Sequence, residues 1–363
     1  MKATYNNDGI KNRFIEALPP MLSGEELAKT VSRYPSSVYD IPELGALPRT
    51  KRLVMTNQLL ELYQPTSFTM QLYIQLYCAI QSAYLHQSKN AAGTPGFCFS
   101  VVGVSGIGKT RTLEMLLDLF PQYIEHENYN GTPVQDSQIV YIYVQTPHNS
   151  SVRSICLSIL DEVDRISGSN YMEQYLRRRA TTDILVSHIS RICRHHHVGL
   201  IVIDEIQNAR NRAGLNFLDF VVQLANSTKA SICFVGTPLA VEPLEKQMRS
   251  ARRATGFRLD PFRFDSEFNL ILDAIWRTQY LRQYQPLTDD LRKYLFDKCG
   301  GITDVLIKLL YYGQRRAIES GTEKLTVPLF EKVSNSILKM ELDSMNKGLK
   351  ESVSDVRWDI RNA

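Results

Sequence analysis

The first residues whose types and spacing could do chemistry run from Gly103 to Thr110. Gly103, Val104, Ser105, Gly106, Ile107, Gly108, Lys109 and Thr110 complete the pattern Gly-x-x-x-x-Gly-Lys-[Ser/Thr]. Its glycines let backbone N–H groups close around phosphate oxygens with no Cβ in the way. Lys109 would set a point charge against the β- and γ-phosphates of ATP, and the Thr110 hydroxyl would reach Mg²⁺. Arg111 closes the candidate ATP-binding stretch. A second constellation lies at Asp204-Glu205, directly after the apolar run Leu200–Ile203. Asp204 suits the Mg²⁺ shell, and Glu205 suits orienting or deprotonating an attacking water. Alone, two adjacent acids could be a solvated turn. With the phosphate loop upstream they point to ATP hydrolysis rather than binding alone.

Other residues carry weaker signals. Thr237 follows the apolar run Ser231–Val235 and could sense a γ-phosphate through water; a turn hydroxyl before Pro238 is the competing reading. Arg249, Arg252, Arg253, Arg258 and Arg263 cluster ahead of the C-terminal helices. Arg252 or Arg253 could act on a neighbouring subunit's γ-phosphate, or the cluster could be a solvated basic face. Arg177, Arg178 and Arg179, with Tyr171 and Tyr175 nearby, interleave basic and aromatic groups as nucleic-acid surfaces do, and as solvated helices also do. His195, His196 and His197 cannot all face one metal from a helix or strand, so they read as an exposed helix end.

These residues need elements to hold them. Phe97–Val102 reads as a buried strand, and Leu113, Leu116, Leu117 and Phe120 give a helix after the loop. Ser67 opens a helix with Met70, Tyr73, Leu76, Tyr77, Ile80 and Tyr84 on one face. Glu125–Ser137 reads as a loop and Ile139–Val144 as a strand. Val152, Ile155, Cys156, Ile159, Leu160 and Val163 define an amphipathic helix, with further helices over Thr182–Arg194 and Leu215–Ala225. Val198–Ile203 and Ser231–Val235 add strands. Strands alternating with helices predict an α/β class: a P-loop core with a parallel sheet and helices on both faces. Past Phe264 only helices follow, over Asp265–Tyr284, Thr288–Cys299, Thr303–Glu319 and Pro328–Leu342. The expected domains are an extended, proline-punctuated arm (1–53), a nucleotide-binding domain (54–264), a helical lid (265–345) and a mobile tail (346–363).

Composition narrows the class. With 44% hydrophobic and 22% charged residues among 363, the chain is an ordinary globular protein. It has no apolar run of about 18 residues to span a membrane, and its opening lacks the apolar centre of a secretory signal. Six scattered cysteines without a C-x-x-C pair read as buried thiols. Cytoplasmic location is expected. A net charge of +4 means that any nucleic-acid contact must be local.

The arrangement resembles AAA+ ATPases, and within them the transposition regulators TnsC and TniB. The resembling pieces are GVSGIGKTR (Gly103–Arg111), LIVIDEIQN (Leu200–Asn208), CFVGTP (Cys233–Pro238), the Arg252-Arg253 and Pro261-Phe262 pattern, and Gly300-Gly301 before a lid helix. This resemblance implies an ATP-dependent homo-oligomer, ring or helical filament, on duplex DNA. It implies a transposase and a target-selector protein as partners, with Lys109, Thr110, Asp204, Glu205 and Thr237 in the roles above. DNA would meet Thr146–Arg153 and the Arg177–Arg179 region. One departure is that Ile302 and Thr303 stand where many AAA+ lids carry a sensor arginine. A helicase-loader or origin-type ATPase, and a DNA-bound scaffold gated by nucleotide with little turnover, are the alternatives.

Overall fold

The computed structural model describes residues 1–6, 10–35, 43–87, 97–148, 151–178, 182–209, 217–241, 254–340, 342, 343 and 345. Two compact units emerge. The first comprises Met1–Leu22, Thr69–Gly103 and Lys109–Arg258; the second comprises Ser23–Phe68, Val104–Gly108 and Leu259–Ala363.

The strands are β1 (Cys98–Gly103), β2 (Tyr123–Tyr129), β3 (Thr132–Ile139), β4 (Tyr141–Gln145), β5 (Leu200–Asp204), β6 (Ser231–Gly236) and β7 (Ala254–Leu259). Five form a parallel sheet in the order β4-β5-β6-β1-β7. Every residue of β1, β5 and β6 is buried, as expected of central strands covered on both faces. β4 lies at an edge and alternates between buried and half-buried positions. Gln145 pairs with Asp204, and Val102 with Gly236, so β1, β4, β5 and β6 end together at one edge of the sheet. In α/β sheets that edge is where ligands bind.

Helices α1 (Arg13–Glu16), α2 (Gly24–Val31), α3 (Arg49–Met55) and α4 (Ser67–Gln87) precede β1. Residues 1–53, expected as an extended arm, instead supply buried side chains to both units: Phe14, Ile15 and Leu18 in the first, Leu27, Val31 and Leu44 in the second. The prolines punctuate this segment without keeping it off the cores. α5 (Lys109–Leu117), α6 (Val152–Ser167), α7 (Tyr171–Arg178), α8 (Thr182–His195) and α9 (Phe217–Thr228) follow the strands.

Glu125–Ser137 is a hairpin, not a loop. β2 and β3 pair antiparallel around Asn130 and Gly131, both at positive φ (51° and 80°), the geometry of a two-residue primed turn. The strands look polar because part of their buried face is a bonded pair, His126 Nε2 with Gln138 Oε1 at 2.9 Å. The histidine run also differs from expectation. His196 is only 7% exposed and pairs with Ser137 Oγ at 2.8 Å and Tyr171 OH at 3.1 Å. Burial, with His195 and His197 beside it, pulls its pKa down to about 4. His197 stacks on Phe14 at 4.2 Å. The two rings pack the N-terminal segment and the hairpin. Among the described residues no cluster of three or more His, Cys, Asp or Glu could hold a metal. Five cysteines are buried; Cys78 is exposed. No helix among the described residues is long and apolar enough to cross a membrane.

The second unit carries α10 (Ser266–Trp276), α11 (Asp289–Cys299), α12 (Thr303–Ser320) and α13 (Val327–Ser336). α10 ends well before the expected Tyr284. Buried Gln314 accepts from Tyr280 N at 2.9 Å and donates to Thr278 O at 2.8 Å, so a side chain replaces the next helical hydrogen bonds. Gly300 caps α11 in the left-handed region, and Gly301 follows at φ 75°. A Cβ on Gly301 would lie 2.1 Å from Phe262 O. The Pro261-Phe262 and Gly300-Gly301 signatures therefore pack on each other. Gly301→Ala should destabilise this unit by about 2–5 kcal/mol, from left-handed strain plus the backbone clash. The readout is the midpoint of thermal unfolding, and an unchanged midpoint would contradict the packing.

Candidate functional site

Lys109 opens α5 at the edge where the strands end. It is 6% exposed, and its Nζ donates to Gly103 O at 2.8 Å. Burial lowers the pKa of the ammonium from the ordinary lysine value, while Glu205 and Asp204 act to raise it. Thr110 Oγ1 donates to Asp204 Oδ2 at 2.7 Å. From edge strand β4, the Tyr143 hydroxyl donates to the same oxygen at 2.7 Å. Burial foremost, then the Asp204 charge, raises the pKa of that hydroxyl, which keeps it a donor. Glu205 N donates to Asp204 Oδ1 at 2.6 Å. Asp204, fully buried, is thus fixed by three donors. Glu205 itself sits at φ 57°, ψ 40°, turning the chain from β5 into a 3-10 turn over Ile206–Asn208.

Val104–Gly108, the middle of the phosphate-loop pattern, groups with the second unit. Ile107 is buried there, Ser105 is exposed, and Gly106 and Gly108 hold φ of 76° and 105°, conformations that favour glycine. Gly106 O accepts from Asp304 N at 3.3 Å. Asp304, in the first turn of α12, also pairs with Lys308 Nζ at 2.8 Å and thus meets Gly106 beside buried Ile302.

Other expected residues fall as follows. Thr237 follows β6; its N donates to Gln207 Oε1 at 3.3 Å, and its carbonyl accepts from Ala240 N and Val241 N. Thr146 is a correction. It is 3% exposed, its N donates to Asp204 O at 2.9 Å, and its O accepts from Asn208 Nδ2 at 3.2 Å, so it braces strand ends instead of facing a duplex. Arg153 is half-buried in the first turn of α6, Arg111 is half-buried in α5, and Arg177 and Arg178 end α7. Arg179, Arg252 and Arg253 lie outside the described residues. Tyr143, Gln207 and Asn208 were not singled out from the sequence. The last two belong to the DEIQN piece, but only the folded strand ends reveal their partners.

Residues 94–244 match the family model described as "AAA domain". That stretch is similar to AAA domains. The chain's parallel sheet and the helices around and after it are of the α/β class expected from the sequence. Among solved structures, it is similar to Cdc6p from Pyrobaculum aerophilum, with 16% identity and a TM-score of 0.48 over 72% of this chain and 66% of that one. It is also similar to the Aeropyrum pernix Orc1 protein in complex with DNA, with 17% identity and a TM-score of 0.49 over 75% and 64%. The chain spans slightly less than two thirds of each of those proteins. No curated protein matches it. Within the matched residues fall Lys109, Thr110, Asp204, Glu205 and Thr237.

Proposed function

We propose that this protein binds ATP with Mg²⁺, hydrolyses it, and uses nucleotide state to assemble on duplex DNA as a transposition regulator. The observation that carries the ATP reading is the 2.7 Å bond from Thr110 Oγ1 to Asp204 Oδ2, beside a buried Lys109. It couples the helix that opens behind the phosphate loop to the strand that ends in two carboxylates. Mg²⁺ fits this donor set: a hydroxyl and a carboxylate are hard oxygen ligands, and Mg²⁺ commonly completes its shell with substrate phosphates and water. Thr110 would hold the ion and Asp204 would brace it; when bound, it offsets charge on the β- and γ-oxygens. Lys109 would hold the phosphates. Glu205 would take the proton from the attacking water.

The DNA and transposition parts rest on the DEIQN and GTP resemblances and on the local arginines, Arg153 and Arg177–Arg179, in a chain with net charge of only +4. Transposase and target selector are the corresponding partners. Arg252 and Arg253 are the candidates for a cation supplied to the next subunit's site.

A steady-state phosphate-release assay on the full chain tests this function. ATP turnover that requires Mg²⁺ and rises severalfold with duplex DNA is expected. ATP binding without release would contradict hydrolysis and favour a nucleotide-gated scaffold. Turnover indifferent to DNA would contradict the DNA arm of the proposal.

A further inference from the structure

We infer that Gln207 is a positioning residue for Glu205, tying the carboxylate that takes the proton to the strand end that carries Thr237. The inference rests on the ATPase reading above. Gln207 Nε2 donates to Glu205 Oε2, and Gln207 Oε1 accepts from Thr237 N at 3.3 Å. One planar amide therefore bridges an anion and a backbone N–H. The amide offers a donor and an acceptor on separate atoms of one planar, uncharged group. A lysine or arginine could satisfy Glu205 but has no acceptor for Thr237 N, and an ionised glutamate could not donate at all.

The surroundings make the bridge specific. Glu205 is in the left-handed region, and Asn208 N bonds back to Glu205 O at 2.9 Å, which fixes the tight turn. Each of the next three residues then reaches a different place. Ile206 enters the core, Asn208 Nδ2 holds Thr146 O beyond β4, and Gln207 turns to β6. At the end of β6, a Cβ on Gly236 would lie 2.7 Å from Ile206 Cγ1 and 3.0 Å from Gln207 Oε1. Glycine there leaves the space the amide occupies. A displacement of the Thr237 backbone would pass through this amide to Glu205, so the proton acceptor's orientation follows the position of the β6 end. A general base must sit within hydrogen-bond reach of its proton, and misplacement by about 1 Å can cost on the order of 10²-fold in rate.

The test uses Gln207→Met, which keeps the length of an exposed side chain and removes both hydrogen bonds. ATP turnover should fall by about tenfold or more, while KM and the Kd for ATP stay within about twofold, as expected when the loss falls on the chemical step. In a Glu205→Gln background the same substitution should have no further effect, because the group it positions is gone. Wild-type turnover in Gln207→Met, a loss confined to KM, or additive losses in the double variant would each overturn the inference while leaving the ATPase reading intact. Amide hydrogen exchange at Thr237 in the nucleotide-free chain gives a readout independent of turnover. Faster exchange in Gln207→Met is expected, and equal exchange would overturn the tie. Absence of ATP turnover in the wild-type chain would instead sink the ATPase reading, with the exchange measurement still deciding the Gln207 contact.

Discussion

Glu205→Gln should lower ATP turnover by about 10²–10⁴-fold while ATP remains bound. The amide has nearly the shape of the carboxylate and can occupy the same left-handed turn, but it cannot accept a proton from water. Asp204 keeps its bonds from Thr110 and Tyr143, so the phosphate and Mg²⁺ side of the site is untouched. Binding and hydrolysis should therefore separate, leaving an ATP-loaded assembly that persists on DNA. Single-turnover hydrolysis alongside equilibrium ATP binding checks this. Unchanged turnover would remove Glu205 as the base, and lost ATP binding would show that its role is not confined to the chemical step.

Lys109→Ala should weaken ATP binding by about 2–5 kcal/mol, the usual consequence of deleting one member of a buried, hydrogen-bonded charge pair. That is roughly 30- to 5,000-fold in Kd. The side chain is buried with its Nζ on Gly103 O, so no neighbouring solvent-exposed lysine can take its place at that depth. The sign with pH follows from the same burial. Phosphate binding needs the ammonium, which is present below its pKa and lost above it. Because burial lowers that pKa, against the opposing pull of Glu205 and Asp204, wild-type affinity should begin to fall at a lower pH than an ordinary lysine would allow.

Much of this site is legible in the amino-acid order. Cys98–Gly103, Leu200–Asp204 and Ser231–Gly236 are central parallel strands, buried on both faces, so their apolar runs stand out without tertiary information. The glycine loop and the acidic pair follow such runs directly. The hairpin is less visible because His126 and Gln138 satisfy each other inside it, which removes the usual apolar alternation, and Glu125–Ser137 reads as a loop although Asn130-Gly131 stands at its turn. Tyr143, Gln207 and Asn208 act across strand ends that are far apart in sequence. Their residue types permit the bonds, but only the sheet order brings the partners together. Thr146, which the resemblance places toward DNA, is buried with its backbone bonded both to β5 and to Asn208, partners that only the fold supplies. His196 and His197 look like an exposed helix end until Phe14 and Ser137 arrive from other segments.

The central claim, an ATP·Mg²⁺ site built on Lys109, Thr110 and Asp204, is tested most directly by calorimetric titration of ATP with Mg²⁺ into the full wild-type chain and into folded Lys109→Ala. Saturable binding by the wild type, weakened about 30-fold or more in the variant, is the expected result; no binding by the wild type, or equal affinity in the two proteins, would contradict the site.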